Sequence, residues 1–253
     1  MQGEQSSRTV QSVQTTIDIV EHLREVGEAG VTDLAAALDH SKGTIHSHLA
    51  TLLENEYVVR NGDRYGLSLK FLDFGEYVKS QLEIYDVVVE ELDDLAAETG
   101  EVAQFATEEH GRAVYLYKAH GNQAVNTASS VSKREYIHCI SLGKAMLAQF
   151  PEERVDEIVD RHGLPAKTSN TITERDELAA ELQEIRERGY AVDDEEMIEG
   201  IRCVAAPITN DGVVGAISIS GPSSRMAGER FEETLPSKLL RSANVIEINA
   251  KFS

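Results

Sequence analysis

A chain of 253 residues, 41% of them hydrophobic, is long for one small domain and too apolar for wholesale disorder, so it reads as two unequal folded domains. No apolar run approaches the ~18 residues of a membrane span, the N-terminus lacks the basic-then-apolar pattern of a signal peptide, and two cysteines, Cys139 and Cys203, exclude a disulfide framework; the expectation is a reduced, cytoplasmic protein. Against 24 basic side chains stand 44 acidic ones, a formal charge of −20, and composition alone speaks against a nucleic-acid partner.

Val10, Val13, Ile17, Val20 and Leu23 recur at helical spacing and predict an amphipathic first helix over 10–26, ended by Gly27 and Gly30. A second helix is expected over 32–38, capped by Thr32 or Asp33, with Leu34, Ala35 and Leu38 as its stripe. After the turn Asp39-His40-Ser41, a third runs over 42–55 with Ile45, Leu49, Leu52 and Leu53 on one face. Two β-prone runs, 57–60 and 64–69, flank Asn61-Gly62-Asp63 and predict a hairpin. Three helices and then a hairpin spell a winged helix-turn-helix over 8–70. Residues 71–99 continue as linker helices, in pieces around 70–81 and 85–99, and Gly100 stops them.

From residue 101 strands and helices mix. A hairpin is expected over 101–108 and 112–119 around His110-Gly111, then a third strand at 123–130. Helices follow at 143–150, from Pro151 to 160, and at 173–188 with Thr173 as cap and Gly189 as stop. Strands at 190–192, 203–208 and 213–220, the last two joined at Asn210-Asp211-Gly212, precede a closing helix over 229–250. The fold class is therefore α+β, with residues 100–253 forming a sensor domain of sheet and flanking helices.

On the third helix the face opposite the apolar stripe carries Gly43, Thr44, Ser47, Ala50 and Thr51, with His46 and His48 on its flanks. Small and hydroxyl side chains let a helix sit deep in the major groove of double-stranded DNA and bond to bases or phosphates. Lys42 stands near the helix start, and Arg60 and Arg64 flank the wing tip. The charge objection weakens here: residues 1–80 carry 7 basic and 12 acidic side chains, so most of the acidic excess lies beyond them. Acids scattered over every element resemble proteins of extreme halophiles, where they keep the surface soluble in concentrated salt.

At these residues the chain resembles the IclR (isocitrate lyase regulator) family of transcription factors. Gly30-Val31-Thr32-Asp33-Leu34-Ala35 and Ser41-Lys42-Gly43-Thr44-Ile45-His46 carry the likeness in the first domain. In the second it is carried by residues 138–147, from His138-Cys139 through Leu142-Gly143-Lys144-Ala145, by residues 188–207, including Asp193-Asp194-Glu195-Glu196 and Gly200-Ile201-Arg202-Cys203, and by Ala216-Ile217-Ser218-Ile219-Ser220-Gly221-Pro222. The resemblance implies a GAF-like effector-binding domain with an antiparallel sheet, homodimers formed mainly through the DNA-binding domains and often paired into tetramers, and control of catabolic genes by a small organic acid or an aromatic breakdown product. It does not extend to Ser47, where the family often has Arg, the best bidentate reader of guanine.

For the effector the resemblance implies Ser141, Leu142, Asp193, Cys203, Ser218 and Ser220. Backbone N–H groups of Ser141, Leu142 and Gly143 open a helix, where a carboxylate can dock. Ser218 and Ser220, two apart on a strand, share one face. A hydroxy- or keto-acid, such as one derived from a sugar, fits that set. No cofactor, metal cluster or catalytic residue is expected. Two other readings are a winged helix that binds a protein partner, favoured by the acidity and by Ser47, and a thiol enzyme using Cys139 or Cys203, which lacks an evident base.

Overall fold

The computed structural model describes residues 9–125, 130–209 and 213–251. They divide into two compact units, Met1–Gln81 and Leu82–Ser253.

In the first unit, α1 (Gln11–Val26), α2 (Val31–Ala37) and α3 (Lys42–Glu54) pack around Ile19, Leu23, Leu34, Ile45, Leu49 and Leu52. Strands β2 (Val58–Asn61) and β3 (Arg64–Leu67) form the expected hairpin. Its two-residue turn is Gly62-Asp63, with Gly62 at φ 65°, so Asn61 belongs to the strand. A short strand that periodicity could not reveal, β1 (Glu28–Gly30), adds to the hairpin on β3, in the order β1-β3-β2. The unit ends in α4 (Lys70–Ser80).

Three local expectations change. Asp33 does not cap α2: it stands in the first turn and its carboxylate accepts the Gly30 N–H at 3.2 Å, because the helix begins two residues earlier than Asp33. Leu53 is exposed, so the α3 core stripe is Ile45, Leu49 and Leu52. On α1 the buried residues are Thr15, Ile19 and Leu23, whereas Val10, Val13 and Ile17 are 62%, 54% and 48% exposed. At 3.6 residues per turn these two sets lie on opposite sides, so the helix carries two apolar faces where its sequence pattern suggested one.

The second unit is a six-stranded antiparallel sheet in the order β6-β5-β4-β9-β8-β7. Its strands are β4 (Val102–Glu109), β5 (Arg112–His120), β6 (Arg134–Tyr136), β7 (Ala191–Asp194), β8 (Ile201–Thr209) and β9 (Val213–Pro222). One face is covered by α5 (Tyr85–Thr99) and α9 (Leu235–Ala250), through Val88, Leu92, Leu239 and Ile246. The other is covered by α6 (Ser141–Leu147), α7 (Glu152–His162) and α8 (Arg175–Arg188). Alternation along β9 serves both: Ile217 and Ile219 meet the first layer, Ala216 the second. The residues expected as linker helices are shared between the units, α4 in the first and α5 packed into the second.

Helix ends follow their glycines: Gly100 closes α5 and Gly189 closes α8, both left-handed. The β4–β5 turn places His110 at φ 55° and Gly111 at φ 79°. Thr173 does not cap α8, which starts at Arg175 with Glu174 at the cap and Asp176 and Glu177 in its first turn. Regular α9 starts at Leu235, after a π turn over Arg230–Thr234. The strand expected at 123–130 is not formed at 123–125, which lie in turn and coil; 126–129 lie outside the described residues, as does the expected 210–212 turn. The strand at that sheet edge is β6 instead.

Candidate effector cavity and nucleic-acid interface

On α3 of the first unit, Lys42, Gly43, Thr44, His46, Ser47 and Thr51 are all exposed; Gly43, Thr44, Ser47 and Thr51 lie on the side away from the Ile45–Leu49–Leu52 stripe, His46 on its flank, and Lys42 in the first turn in line with the stripe. Ser41 caps the helix by accepting the Thr44 N–H at 3.1 Å. The hydroxyls of Ser47 and Thr51 bond back to the carbonyls of Gly43 and Ser47 at 3.0 and 3.1 Å, keeping both side chains close to the helix and the face low. His48 is turned toward α1, its Nδ1 2.8 Å from Thr16 Oγ1. On the wing, Arg60 Nε donates to Gly62 O at 2.8 Å. Arg64 does not reach outward: it donates to Glu28 O and approaches Asp33 at 3.5 Å, bracing the hairpin against β1 and α2.

The second unit holds a cavity of about 520 Å³, mouth included, between the sheet and the start of α6. Strand register builds its floor. Asp193 of β7 pairs with Cys203 of β8, and Cys203 pairs with Ser220 of β9, so three side chains far apart in sequence stand in one row. Ser218, one pleat away on the same face, lies opposite Gln104 of β4. Ser141 and Leu142 form the rim at the start of α6. Six of the seven residues expected at an effector site therefore line one cavity.

Gly143 is the seventh and does not. A Cβ there would stand 1.9 Å from Ile137 O, so its role is to let α6 pass the preceding backbone. Residues that sequence reasoning missed include Gln104, Tyr115, Lys133, Glu135, Met197 and Ile198. Gln104 and Tyr115 could have been found from strand alternation once the β4–β5 hairpin was paired with β9. Glu135 belongs to β6, the strand whose position sequence misplaced, and Lys133 immediately precedes it; the two form an ion pair at 2.6 Å.

The polar groups are specifically arranged. Asp193 is 2% exposed, and its Oδ1 accepts the N–H of Glu196 at 2.7 Å and that of Met197 at 3.4 Å. Burial, and then the neighbouring Glu196, push its carboxyl up to about 7. The other acids of the run diverge: Asp194 pairs with Arg202, Glu195 accepts the Gly200 N–H, and buried Glu196 meets Lys144. Ser220 Oγ donates to Gln104 Oε1 at 3.1 Å. Ser218 lines the cavity, and among the described residues its buried Oγ has no hydrogen-bond partner, an unsatisfied polar group at the cavity wall.

Neither thiol is activated. Burial pushes Cys139 up to about 12 and Cys203 well above its ordinary value, the reverse of what a nucleophile needs. Burial also lowers His138 to about 4, and its Nε2 sits 3.3 Å from Pro165 O while Cys139 Sγ faces Tyr136 O and Met197. Among the described residues no group of three or more His, Cys, Asp or Glu side chains could hold a metal ion, and no helix is long and apolar enough to cross a membrane.

Comparison with known proteins gives a consistent picture. Residues 12–62 match the IclR helix-turn-helix domain, and residues 76–248 match the bacterial transcriptional regulator IclR C-terminal domain. A probable HTH-type transcriptional regulator ArcR of Halobacterium salinarum is 32% identical over 95% of this chain and 94% of its own. The crystal structure of the Thermotoga maritima IclR superposes with a TM-score of 0.79 at 30% identity, covering 95% of this chain and 98% of that one. An IclR homologue from Microbacterium hydrocarbonoxydans, complexed with 4-hydroxybenzoate, shares the fold with a TM-score of 0.83 at 19% identity, over 96% of this chain and all of its own (100%).

Proposed function

The chain belongs to the IclR family of transcriptional regulators, and from that premise we propose that it is a cytoplasmic, effector-controlled regulator of catabolic genes whose GAF-like second unit binds a small organic acid. One observation carries the effector reading. Asp193, Cys203, Ser218, Ser220, Ser141 and Leu142, from three separate sequence segments, line a single cavity containing a buried hydroxyl without a partner. In this reading the acid's carboxylate meets the N–H groups at the start of α6. Its hydroxyl or keto oxygen meets Ser218 and Ser220, while protonated Asp193 donates to it. Lys42, Gly43, Thr44, His46, Ser47, Thr51 and Arg60 face the DNA.

The assembly we propose is a dimer joined through the first unit, with pairing into tetramers. Support comes from the uncovered apolar face of α1 and from α4, which buries none of its residues and exposes Leu72, Phe74, Tyr77 and Val78. A surface this acidic, in a chain similar to one of Halobacterium salinarum, supports adaptation to concentrated salt.

The test is fluorescence anisotropy against the chain's own upstream DNA and a scrambled control, in molar potassium chloride. Selective binding that survives there is expected, although phosphate-driven affinity normally falls steeply with salt. Short hydroxy- and keto-acids, with 4-hydroxybenzoate alongside, are then screened for a change in that binding. Ser220→Ala should weaken the response about tenfold, the loss of one hydrogen bond of ~1.4 kcal/mol, and leave DNA affinity unchanged. Equal binding to both DNAs at every salt concentration would overturn the regulator reading. An unaltered response in Ser220→Ala would remove the cavity from it.

A further inference from the structure

The His138–Leu147 and Arg188–Pro207 segments each contain a charged residue that the cavity does not use, Lys144 and Glu196. They meet each other. Lys144 is 1% exposed and Glu196 6%, and Lys144 Nζ lies 2.5 Å from Glu196 Oε1. A second carboxylate, Glu181 of α8, stands 3.4 Å from the same ammonium through Oε1, the oxygen that Arg188 also meets at 2.8 Å.

Such a pair is a poor source of stability. Desolvating both charges costs about as much as their attraction returns unless every remaining polar atom is satisfied, and Glu196 Oε2 has no partner. What the pair does provide is geometry. Lys144 stands one turn beyond Ser141 and Leu142, the rim of the cavity. Glu196 donates its N–H to Asp193 Oδ1 on the floor and opens the turn that brings Met197 and Ile198 to the opposite wall. The turn is braced from outside as well: Thr171 Oγ1 donates to Glu196 O at 2.6 Å and Thr168 Oγ1 to Glu195 O at 2.7 Å. Only Lys144 joins it to α6 by charge.

We propose that Lys144 is a positioning residue for the effector cavity: by holding Glu196 it fixes the separation between the α6 rim and the Asp193 floor, and so determines which guest both can touch at once. This rests on reading the cavity as the effector site. The groups that face Asp193 are Glu196 and Lys144 from behind, and Tyr115, Cys139 and Cys203 from within the core.

The experiment compares full-length Lys144→Met, Glu196→Gln and the double variant Lys144→Met/Glu196→Met. Replacing both charges with apolar side chains of similar length should keep the fold, so the double variant remains informative if a single one fails to fold. Three readouts are taken: the melting temperature, hydrogen exchange of the Glu196 and Met197 amides without any guest, and calorimetric binding of pyruvate and 4-hydroxybenzoate across pH. The expected result is a melting temperature near the parent's in the double variant, amide exchange at least tenfold faster, and binding of whichever acid the parent takes at least tenfold weaker. The single variants should displace the pH midpoint of binding in opposite directions, upward when the Lys144 cation is removed and downward when the Glu196 anion is removed. A double variant with parental exchange and parental binding would overturn the proposal and leave the pair a packing feature. If exchange accelerates as expected while the parent binds neither these two acids nor any of the hydroxy- and keto-acids screened above, the positioning role stands and the acid-effector reading is what fails.

Discussion

In the second unit apolar side chains are buried on both faces of the sheet, against α5 and α9 on one side and α6, α7 and α8 on the other, and the cavity groups Asp193, Ser218 and Ser220 are enclosed in the same interior. In the first unit one small core is closed, and two further apolar surfaces are left open: Val10, Val13 and Ile17 on α1, and Leu72, Phe74, Tyr77 and Val78 on α4. A sheet layered on both sides satisfies itself within one chain. A small helical unit with further apolar faces needs another surface to cover them. The contrast supports the proposal that the self-sufficient unit captures the ligand and the incomplete one associates, and each half of that proposal can be attacked by substitution.

The largest effect is expected where the second unit is tightest. Gly143→Ala puts a Cβ 1.9 Å from Ile137 O, and neither α6 nor the preceding turn can retreat from a packed core. The loss should exceed ~4 kcal/mol, read as a lowered denaturation midpoint by circular dichroism. Unfolding at the parental midpoint would mean that this core is far looser than its contacts indicate. Next comes the first unit's open face. Ile17→Asp adds a charge to a side chain already 48% exposed, so the monomer should keep its helical signal. Light scattering should show dimer converted to monomer, and DNA affinity should fall at least a hundredfold as one half-site is lost. A variant that remains dimeric would move the interface off α1.

The buried Asp193 gives a smaller, pH-dependent effect. Its carboxyl titrates near 7 in the fold against 3.8 ordinarily, so between those values the native state keeps a proton that the unfolded chain has released. The group costs nothing below about pH 4, costs progressively more as pH rises, and reaches its full penalty above 7. Asp193→Asn removes that slope. Relative to the parent it should gain on the order of 2 kcal/mol in urea denaturation between pH 5 and pH 8. A constant difference across that range would mean that Asp193 is ionised throughout, and that it accepts hydrogen bonds from a guest.

Sequence pattern disclosed most of this architecture for physical reasons that differ by element. Helices α3, α5 and α8 announce themselves through a core stripe and, in the last two, a left-handed glycine stop; the wing does so through its Gly turn. Strand β1 did not, because three residues, the last of them Gly30, carry no period. The strand expected at 123–130 has little β propensity behind it, with only Val125 and Thr127 of β-favouring type, and the edge of the sheet goes to Arg134–Tyr136. Cavity residues carried by motifs were legible; Gln104, Tyr115 and Lys133 were not, because their place depends on pairings between strands distant in sequence. Gly143 shows the limit of reasoning from a motif: its position is next to the site, yet its constraint is a backbone crossing. The α1 stripe shows another limit, since periodicity cannot say which of two apolar faces meets its own core.

The smallest expected effect separates two jobs on the wing. Arg60 and Arg64 stand at equivalent places beside the hairpin turn, but Arg64 is occupied by Glu28 O and Asp33, whereas Arg60 bonds only within the wing and lies over the Tyr65 ring at 5.6 Å. Both arginines are exposed, so neither substitution should cost more than ~1 kcal/mol of stability. Their DNA effects should differ in kind. An arginine that neutralises a phosphate contributes about 0.9 to the slope of log affinity against log salt, and its loss is felt most at low salt. An arginine that only holds the wing against β1 changes affinity by the same factor at every salt concentration. Arg60→Ala should therefore flatten the slope by about one, and Arg64→Ala should lower affinity a few-fold with the slope unchanged. If Arg64→Ala flattens the slope instead, Arg64 leaves Glu28 and Asp33 for the phosphates when DNA binds, and the wing is anchored to the first unit only in the DNA-free state.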